Sequence, residues 1–319
     1  MNFLCYDVAS YRAKIRMTSL KHLLVEGKSD QRLFKLLLSE LLGKSHSVVV
    51  ECAELIRNTE PMGNRAKVEA VCEGLDGSRH AEKITGFVDR EFRGFELGGP
   101  INDTIGTHYQ VGRIVWSRGH SLENYFFCIE VLRSPLRSIT GTIHFEAALT
   151  MFESSLASVM RIASAVSLSA ADNQLITLLA RSITPRVFRY DNSILSVEEA
   201  EWAHVLRNKH KLDENRIASV LTSYANWIAR LGEADEITCK WICHGHSGMS
   251  IIFAAYEFFV QQACSMNGEA DPEREARCIQ KLDDAMRSSI CGDRWIELSI
   301  KETIESPIDS FKSTGLVEE

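Results

Sequence analysis

The chain has 319 residues, of which 45% are apolar and 25% charged, with 19 Gly, 6 Pro and 9 Cys. Those proportions exclude a disordered chain, a collagen-like repeat and a small disulfide scaffold, and the length suggests two domains. The formal net charge of −7 argues at first against nucleic acid, because polyanion binding usually shows as a basic surplus.

The amino-terminal segment MNFLCYDVASYRAKIR lacks the unbroken apolar run of a signal peptide. The stretches LFKLLLSELL and IIFAAYEFFV are interrupted by Lys35, Ser39 and Glu40 and by Glu257. Both fall short of the roughly 18–20 apolar residues that a membrane span needs. An odd number of scattered cysteines suggests reduced thiols. The expectation is a cytoplasmic protein with no membrane partner.

Between about Lys21 and Trp116, short β runs alternate with amphipathic helices. His22–Val25 reads as a buried strand ending at Glu26-Gly27, and Ser29 as the cap of the helix that follows. Leu33, Phe34, Leu37, Leu38 and Leu41 line one face of that helix, and Gly43 closes it. Val48–Val50 is the next strand. Asn64 is expected to cap a second helix, with Val68, Val71, Cys72 and Leu75 on one face and Gly74 and Gly77 ending it. Ile84–Val88 and Ile114–Trp116 complete a strand–helix–strand–helix–strand pattern, which implies right-handed crossovers and a parallel sheet.

Beyond about Leu122, long stretches without Gly or Pro predict helices over 145–168, 195–207, 214–231, 250–266 and 273–291. The expected organisation is an α/β domain over residues 1–125 and a mainly α-helical domain over 126–319, the latter for partner docking, dimerisation or substrate contact. Charge divides with it. Residues 1–125 hold 17 Lys+Arg against 16 Asp+Glu, a net +1, and the remainder holds 19 against 27, a net −8.

In an open parallel sheet, ligands bind beyond the carboxyl ends of the strands. Glu26 follows the first strand, Asp89 and Glu91 follow the third in FVDREF, and Glu123 follows the fourth in HSLENYF. An extended backbone would point residues 89 and 91 to the same side. Mg²⁺ takes one or two carboxylates with water and phosphate oxygens. A third carboxylate, Glu26, can serve as general acid or base. Each acid also has a plain explanation. Asp30 is favoured by the helix dipole, and Glu123 by a turn that Ser121 could cap.

LLVEGKSD followed by FVDREF resembles the toprim domain, the metal-dependent fold of topoisomerases, bacterial primases and overcoming-lysogenization-defect nucleases. HSLENYF is similar to a narrower bacterial family of toprim proteins that act beside an ABC-type ATPase, the toprim effectors of the PARIS anti-phage system. The resemblance covers roughly residues 20–125 and implies a Rossmann-like fold. It implies that Glu26 is a general acid/base near a metal. Asp89 and Glu91 stand for the Asp-x-Asp metal pair, with Glu91 departing from the usual second Asp. Asp30 stands as a second-metal ligand, Glu123, within the family's Leu-Glu-Asn, as a further metal ligand, and Lys28 as a phosphate contact. It further implies Mg²⁺ or Mn²⁺, cleavage of transfer RNA, translation arrest, restraint by an ATPase sensor partner, and a homodimer when active. DNA cleavage and a non-catalytic scaffold are the alternatives.

Other segments carry weaker signals. Cys239, Cys243, His244 and His246 offer zinc-type ligands, but structural zinc sites favour other spacings. WICHGHSGMS also fits a helix-entry turn whose Gly245 and Gly248 allow a backbone to approach a phosphate. Arg186, Arg189 and Tyr190 mix base and aromatic as RNA-binding segments do. Arg207, Lys209, His210 and Lys211 lie among acids and fit a salt-bridged helix face. His120 is a candidate proton donor or phosphate ligand, or a structural histidine.

Overall fold

Four apolar runs separated by amphipathic helices leave the chain one economical arrangement, strands paired side by side with helices covering them. The computed structural model describes residues 6–43, 47–57 and 61–318. The first five residues of the amino-terminal segment lie outside the described residues. The chain divides into two compact units. The α/β unit comprises residues 1–90, 105–122 and 295–319, and the helical unit 91–104 and 123–294. The division expected at 125/126 is therefore drawn differently. The last 25 residues fold with the sheet, and a short segment after Arg90 folds with the helices.

In the α/β unit, β1 (Lys21–Val25), β2 (Val48–Cys52), β3 (Ile84–Val88), the strand Ile114–Trp116 and the strand Tyr109–Val111 form one sheet. Its order is β2, β1, β3, Ile114–Trp116, Tyr109–Val111. The first four strands pair in parallel, with Val25 opposite Cys52 and Phe87, and Val88 opposite Trp116. Tyr109–Val111 adds an antiparallel edge that the sequence pattern did not suggest. The amphipathic helices α1 (Val8–Met17), α2 (Lys28–Leu42) and α3 (Asn64–Glu73) complete the unit with the carboxy-terminal helix Ile308–Ser313.

The side-chain alternation of β3 divides the core. Ile84 and Val88 pack with Tyr11 and Ile15 of α1 and Val68, Val71 and Cys72 of α3. Phe87 faces the other way and meets Phe34 of α2 edge-on, ring centroids 4.8 Å apart, with Phe311 at 5.5 Å from Phe34. Two helix starts differ from expectation. Gly27, not Ser29, precedes α2, and the Asp30 carboxylate reaches back to accept the Gly27 N–H at 3.0 Å. Gly63, not Asn64, precedes α3.

The helical unit is built on Phe145–Asp172 and Gly245–Met266. Phe152 lies between them, edge-on to Tyr256 (5.5 Å) and Phe259 (6.4 Å). By length and composition Phe145–Asp172 is apolar enough to cross a membrane, and 67% of that window is buried within the protein. Glu214–Leu231 forms as predicted. The helix predicted over 195–207 begins only at Glu199, because residues 188–191 and 194–197 pair as a hairpin. Asn192 and Ser193 both take positive φ there, the backbone of a tight two-residue turn. The helix predicted over 273–291 breaks into Pro272–Glu275, Arg277–Gln280 and Asp284–Ile300. Asp283 restarts it by accepting the Met286 N–H at 2.8 Å.

Candidate functional site

Adjacent parallel strands deliver consecutive chain exits to one edge of a sheet. β1 and β3 are neighbours, so Glu26 and Asp89 leave the sheet side by side. The structure joins them: Glu26 Oε1 accepts the backbone N–H of Asp89 at 2.9 Å. Both side chains are half-buried, which fixes a carboxylate without removing it from solvent. Asp30, one turn into α2, spends one oxygen on the Gly27 N–H. Lys28 is exposed and pairs with Glu54 at 3.4 Å. Glu54, just after β2, is a further acid on this edge that the sequence reading missed, since the run after β2 carries no motif.

The far side of the edge is held by Arg90 and Ser117. Arg90 is fully buried. Its N–H donates to Ser117 Oγ at 2.9 Å, and its guanidinium donates to the Arg118 carbonyl at 2.8 Å. Ser117 Oγ in turn donates to the Gly119 carbonyl. These bonds lock the turn after β3 to the turn after Ile114–Trp116. His120 is buried in that second turn.

Glu91 does not continue the strand. β3 ends at Val88 and Glu91 has φ +52°, so strand alternation does not align residues 89 and 91. Glu91 belongs instead to the helical unit. There its carboxylate acts on His244, as does that of Glu123. Glu123 is buried and its Oε1 lies 3.3 Å from Nδ1 of the exposed His246. The neighbouring Asn124 sets this geometry. Its fully buried amide donates to the carbonyls of Lys240 (2.7 Å) and Cys243 (2.8 Å), immediately before the helix Gly245–Met266. His244 caps that helix, its Nδ1 accepting the Ser247 N–H at 3.3 Å. Burial and the adjacent His246 push the His244 imidazole below its ordinary value, against the pull of Glu123 and Glu91. With Nδ1 accepting, a neutral ring carries its proton on Nε2.

The remaining candidates are placed elsewhere. Cys239 and Cys243 are fully buried, and burial pushes their thiols up to about 11 and about 12. Among the described residues they join no group of three or more His, Cys, Asp and Glu that could hold a metal. Gly248 allows close packing, not phosphate approach, since a Cβ there would lie 2.6 Å from Cys243 Sγ and from the Phe127 ring. Arg186 pairs with Glu273 at 3.1 Å, and Arg189 pairs with Asp191 and Glu198. Tyr190 packs edge-on to Phe259, so its ring is occupied by the core. Arg207 pairs with Glu214 at 2.5 Å, as the salt-bridged reading expects.

No protein-family model matches the chain, and no curated protein matches it.

Among the described residues, no group of three or more His, Cys, Asp and Glu converges as a metal cage. The donor set of the α/β unit is sparser: two carboxylates on neighbouring strand ends, one anchored on the other's amide. That set fits Mg²⁺, which keeps most of its waters, and does not fit a fully protein-ligated ion.

Proposed function

We propose that the chain is a metal-dependent toprim nuclease. The observation that supports this most directly is the Glu26–Asp89 contact at the carboxyl edge of β1 and β3. Open parallel sheets place reactive groups at this edge, and LLVEGKSD and FVDREF carry the toprim resemblance there. Glu26 and Asp89 would hold the ion, and the resemblance adds Glu91 and Asp30 by sequence alone. Bound Mg²⁺ supplies charge stabilisation at a phosphoryl oxygen and a more acidic water. Glu26, oriented by the Asp89 amide, is the group that takes or returns the proton of the attacking water or leaving oxygen.

The narrower resemblance assigns RNA, and transfer RNA in particular, as substrate. It makes the protein the toxic effector of an anti-phage system, held inactive by an ABC-type ATPase and active as a homodimer. One observation favours a non-catalytic scaffold instead, the absence of a three-ligand cluster among the described residues.

The deciding experiment incubates the protein with Mg²⁺ and, separately, with DNA and total RNA. RNA cleavage that Glu26→Ala reduces at least a hundredfold, without a change in folding, is the expected result. Cleavage confined to DNA replaces the RNA assignment with the DNA one. Undiminished cleavage or toxicity in the variant removes Glu26 from the chemistry.

A further inference from the structure

A second polar site lies wholly within the α/β unit, at the amino edge of its sheet. Three strands enter there on a base. Lys21 opens β1, Lys83 precedes β3 and Arg113 precedes Ile114–Trp116. His22 stands opposite Ile84, so Lys21 and Lys83 enter side by side. The Arg113 carbonyl accepts the Gly86 N–H at 2.8 Å, which keeps the third entry beside the second. All three residues line one pocket of about 460 Å³. A five-residue strand is about 16 Å long, so this pocket is remote from Glu26 and Asp89.

These cations are aimed but not neutralised. Lys83 Nζ donates to the Thr18 carbonyl at 2.6 Å, and the Arg113 guanidinium donates to the carbonyl of Thr314. A carbonyl orients a charge and leaves it in place. Lys21, Lys83 and Arg113 are half-buried, and none of them has an ion pair among the described residues. Among the described residues, Glu82 is the one acid in the wall, and it is exposed. Three bases against that acid leave a net +2, in a unit whose bases and acids balance. The nearby His80 feels the excess. Desolvation, Lys83, Arg79 and Arg16 push its imidazole below its ordinary value, against the pull of Glu82. Half-burying like charges together has a cost that a bound anion relieves.

The wall selects a class of anion. Ammonium and guanidinium donors suit phosphate oxygens, and the Ser19 hydroxyl adds a neutral donor. A net +2 matches a phosphomonoester, which carries about −1.5 to −2 at pH 7, better than the single charge of a phosphodiester. No aromatic ring lines the pocket among the described residues, so nothing there stacks on a base. The volume accommodates a phosphate with its sugar.

We infer that this pocket binds a phosphomonoester, with Lys21, Lys83 and Arg113 holding the phosphate and no base being read. The inference does not depend on catalysis at Glu26. The phosphate belongs either to a small sugar phosphate or nucleotide or to the 5′ end of an RNA strand, and the chemistry of recognition is the same.

The test is calorimetric titration of the full chain in phosphate-free buffer with EDTA, so that no metal at Glu26 and Asp89 holds a phosphate or supports cleavage. The probes are ribose 5-phosphate, AMP, adenosine, and a trinucleotide RNA with and without a 5′-phosphate. The phosphorylated form of a probe should bind roughly tenfold or more tightly than its unphosphorylated counterpart. AMP should gain nothing over ribose 5-phosphate. Lys21→Glu reverses a side chain that has no hydrogen bond or ion pair among the described residues. It should weaken binding roughly tenfold without a change in melting temperature. Glu82→Gln, which removes the opposing acid, should strengthen binding and serves as the second variant if Lys21→Glu melts early. Binding of the small probes identifies a small-molecule ligand, and binding of the phosphorylated trinucleotide alone identifies a strand end. Equal binding with and without the phosphate, a requirement for the base, an unchanged affinity in both variants, or no binding of any probe overturns the inference.

Discussion

The two units satisfy their buried polar groups by different chemistry. The α/β unit uses charge. Glu51 on β2 accepts from Tyr11 (2.8 Å) and Lys14 (2.5 Å) of α1 and lies 3.0 Å from Nδ1 of the buried His22 on β1. Lys67 reaches the carbonyls of Ala53 (3.3 Å) and Ile56 (2.8 Å), and Lys83 that of Thr18. Beside the buried carboxylates of Glu123 and Glu257, the helical unit uses neutral groups. Ser164 Oγ donates to the Cys239 carbonyl at 2.6 Å, Ser169 Oγ to that of Val220 at 3.1 Å, and Asn124 to two more. Yet the entire formal charge of −7 sits in the helical unit, since the α/β unit holds 18 basic and 18 acidic residues. Net charge therefore reports the surface of one unit and nothing about what holds either together. The contribution of the Glu51 network should follow pH, and the contributions of Asn124 and Ser164 should not.

Three substitutions sharpen this contrast. The largest effect is expected from Asn124→Ala, which strands two buried carbonyls at roughly 1–3 kcal/mol each. Chemical denaturation should show a loss of about 3 kcal/mol that is flat between pH 5 and pH 8. A loss that varies with pH would break the comparison.

Glu51→Gln comes next. Burial pushes the Glu51 carboxyl up, but hydrogen bonds from His22, Lys14 and Tyr11 hold it down at about 2. Its ordinary value in an unfolded chain is about 4.3. A depressed carboxylate stabilises the fold above the unfolded value and loses that contribution as pH falls through the folded one. Its side chain is 26% exposed, which trims the linkage figure to about 2 kcal/mol at pH 7. The difference between wild type and variant should close as the pH falls from about 4.5 to 2. A constant difference would show that the network acts by packing alone.

Ser164→Ala is the mildest, at about 1 kcal/mol and without pH dependence. A cost above that of Glu51→Gln would invert the ranking and assign the helical unit the more demanding polar bonds.

Much of this was legible in the sequence, for identifiable reasons. Strands β1 and β3 and the α2 face carry strong apolar patterns, so the carboxyl edge, and with it Glu26 and Asp89, followed directly. The Glu26–Asp89 contact could not be read, because it depends on β1 and β3 being neighbours and not merely parallel. The hairpin within residues 188–197 was hidden because Ile194, Leu195 and Val197 also fit a helix start. Asn192, tolerant of positive φ, was the available clue. Glu91 was misread because strand alternation was extended one turn too far. Glu257 was passed over because a single acid in an apolar run looks like an interruption, when burial makes it a question about its partner. Asn124 stood out only as the last residue of Leu-Glu-Asn and its role did not, since its partners are carbonyls more than 110 residues away.

The return of residues 295–319 to the α/β unit has a consequence for synthesis. Thr85 on β3 donates its hydroxyl to Thr314, 229 positions later, and Phe311 completes the aromatic cluster of Phe34 and Phe87. A ribosome delivers the chain from the amino end. The sheet and its flanking helices emerge early, but the last piece of their core arrives only after the whole helical unit has been made. Closing so distant a contact is slow. The edge that carries Glu26 and Asp89 thus belongs to a unit whose core closes only after the helical unit has been made.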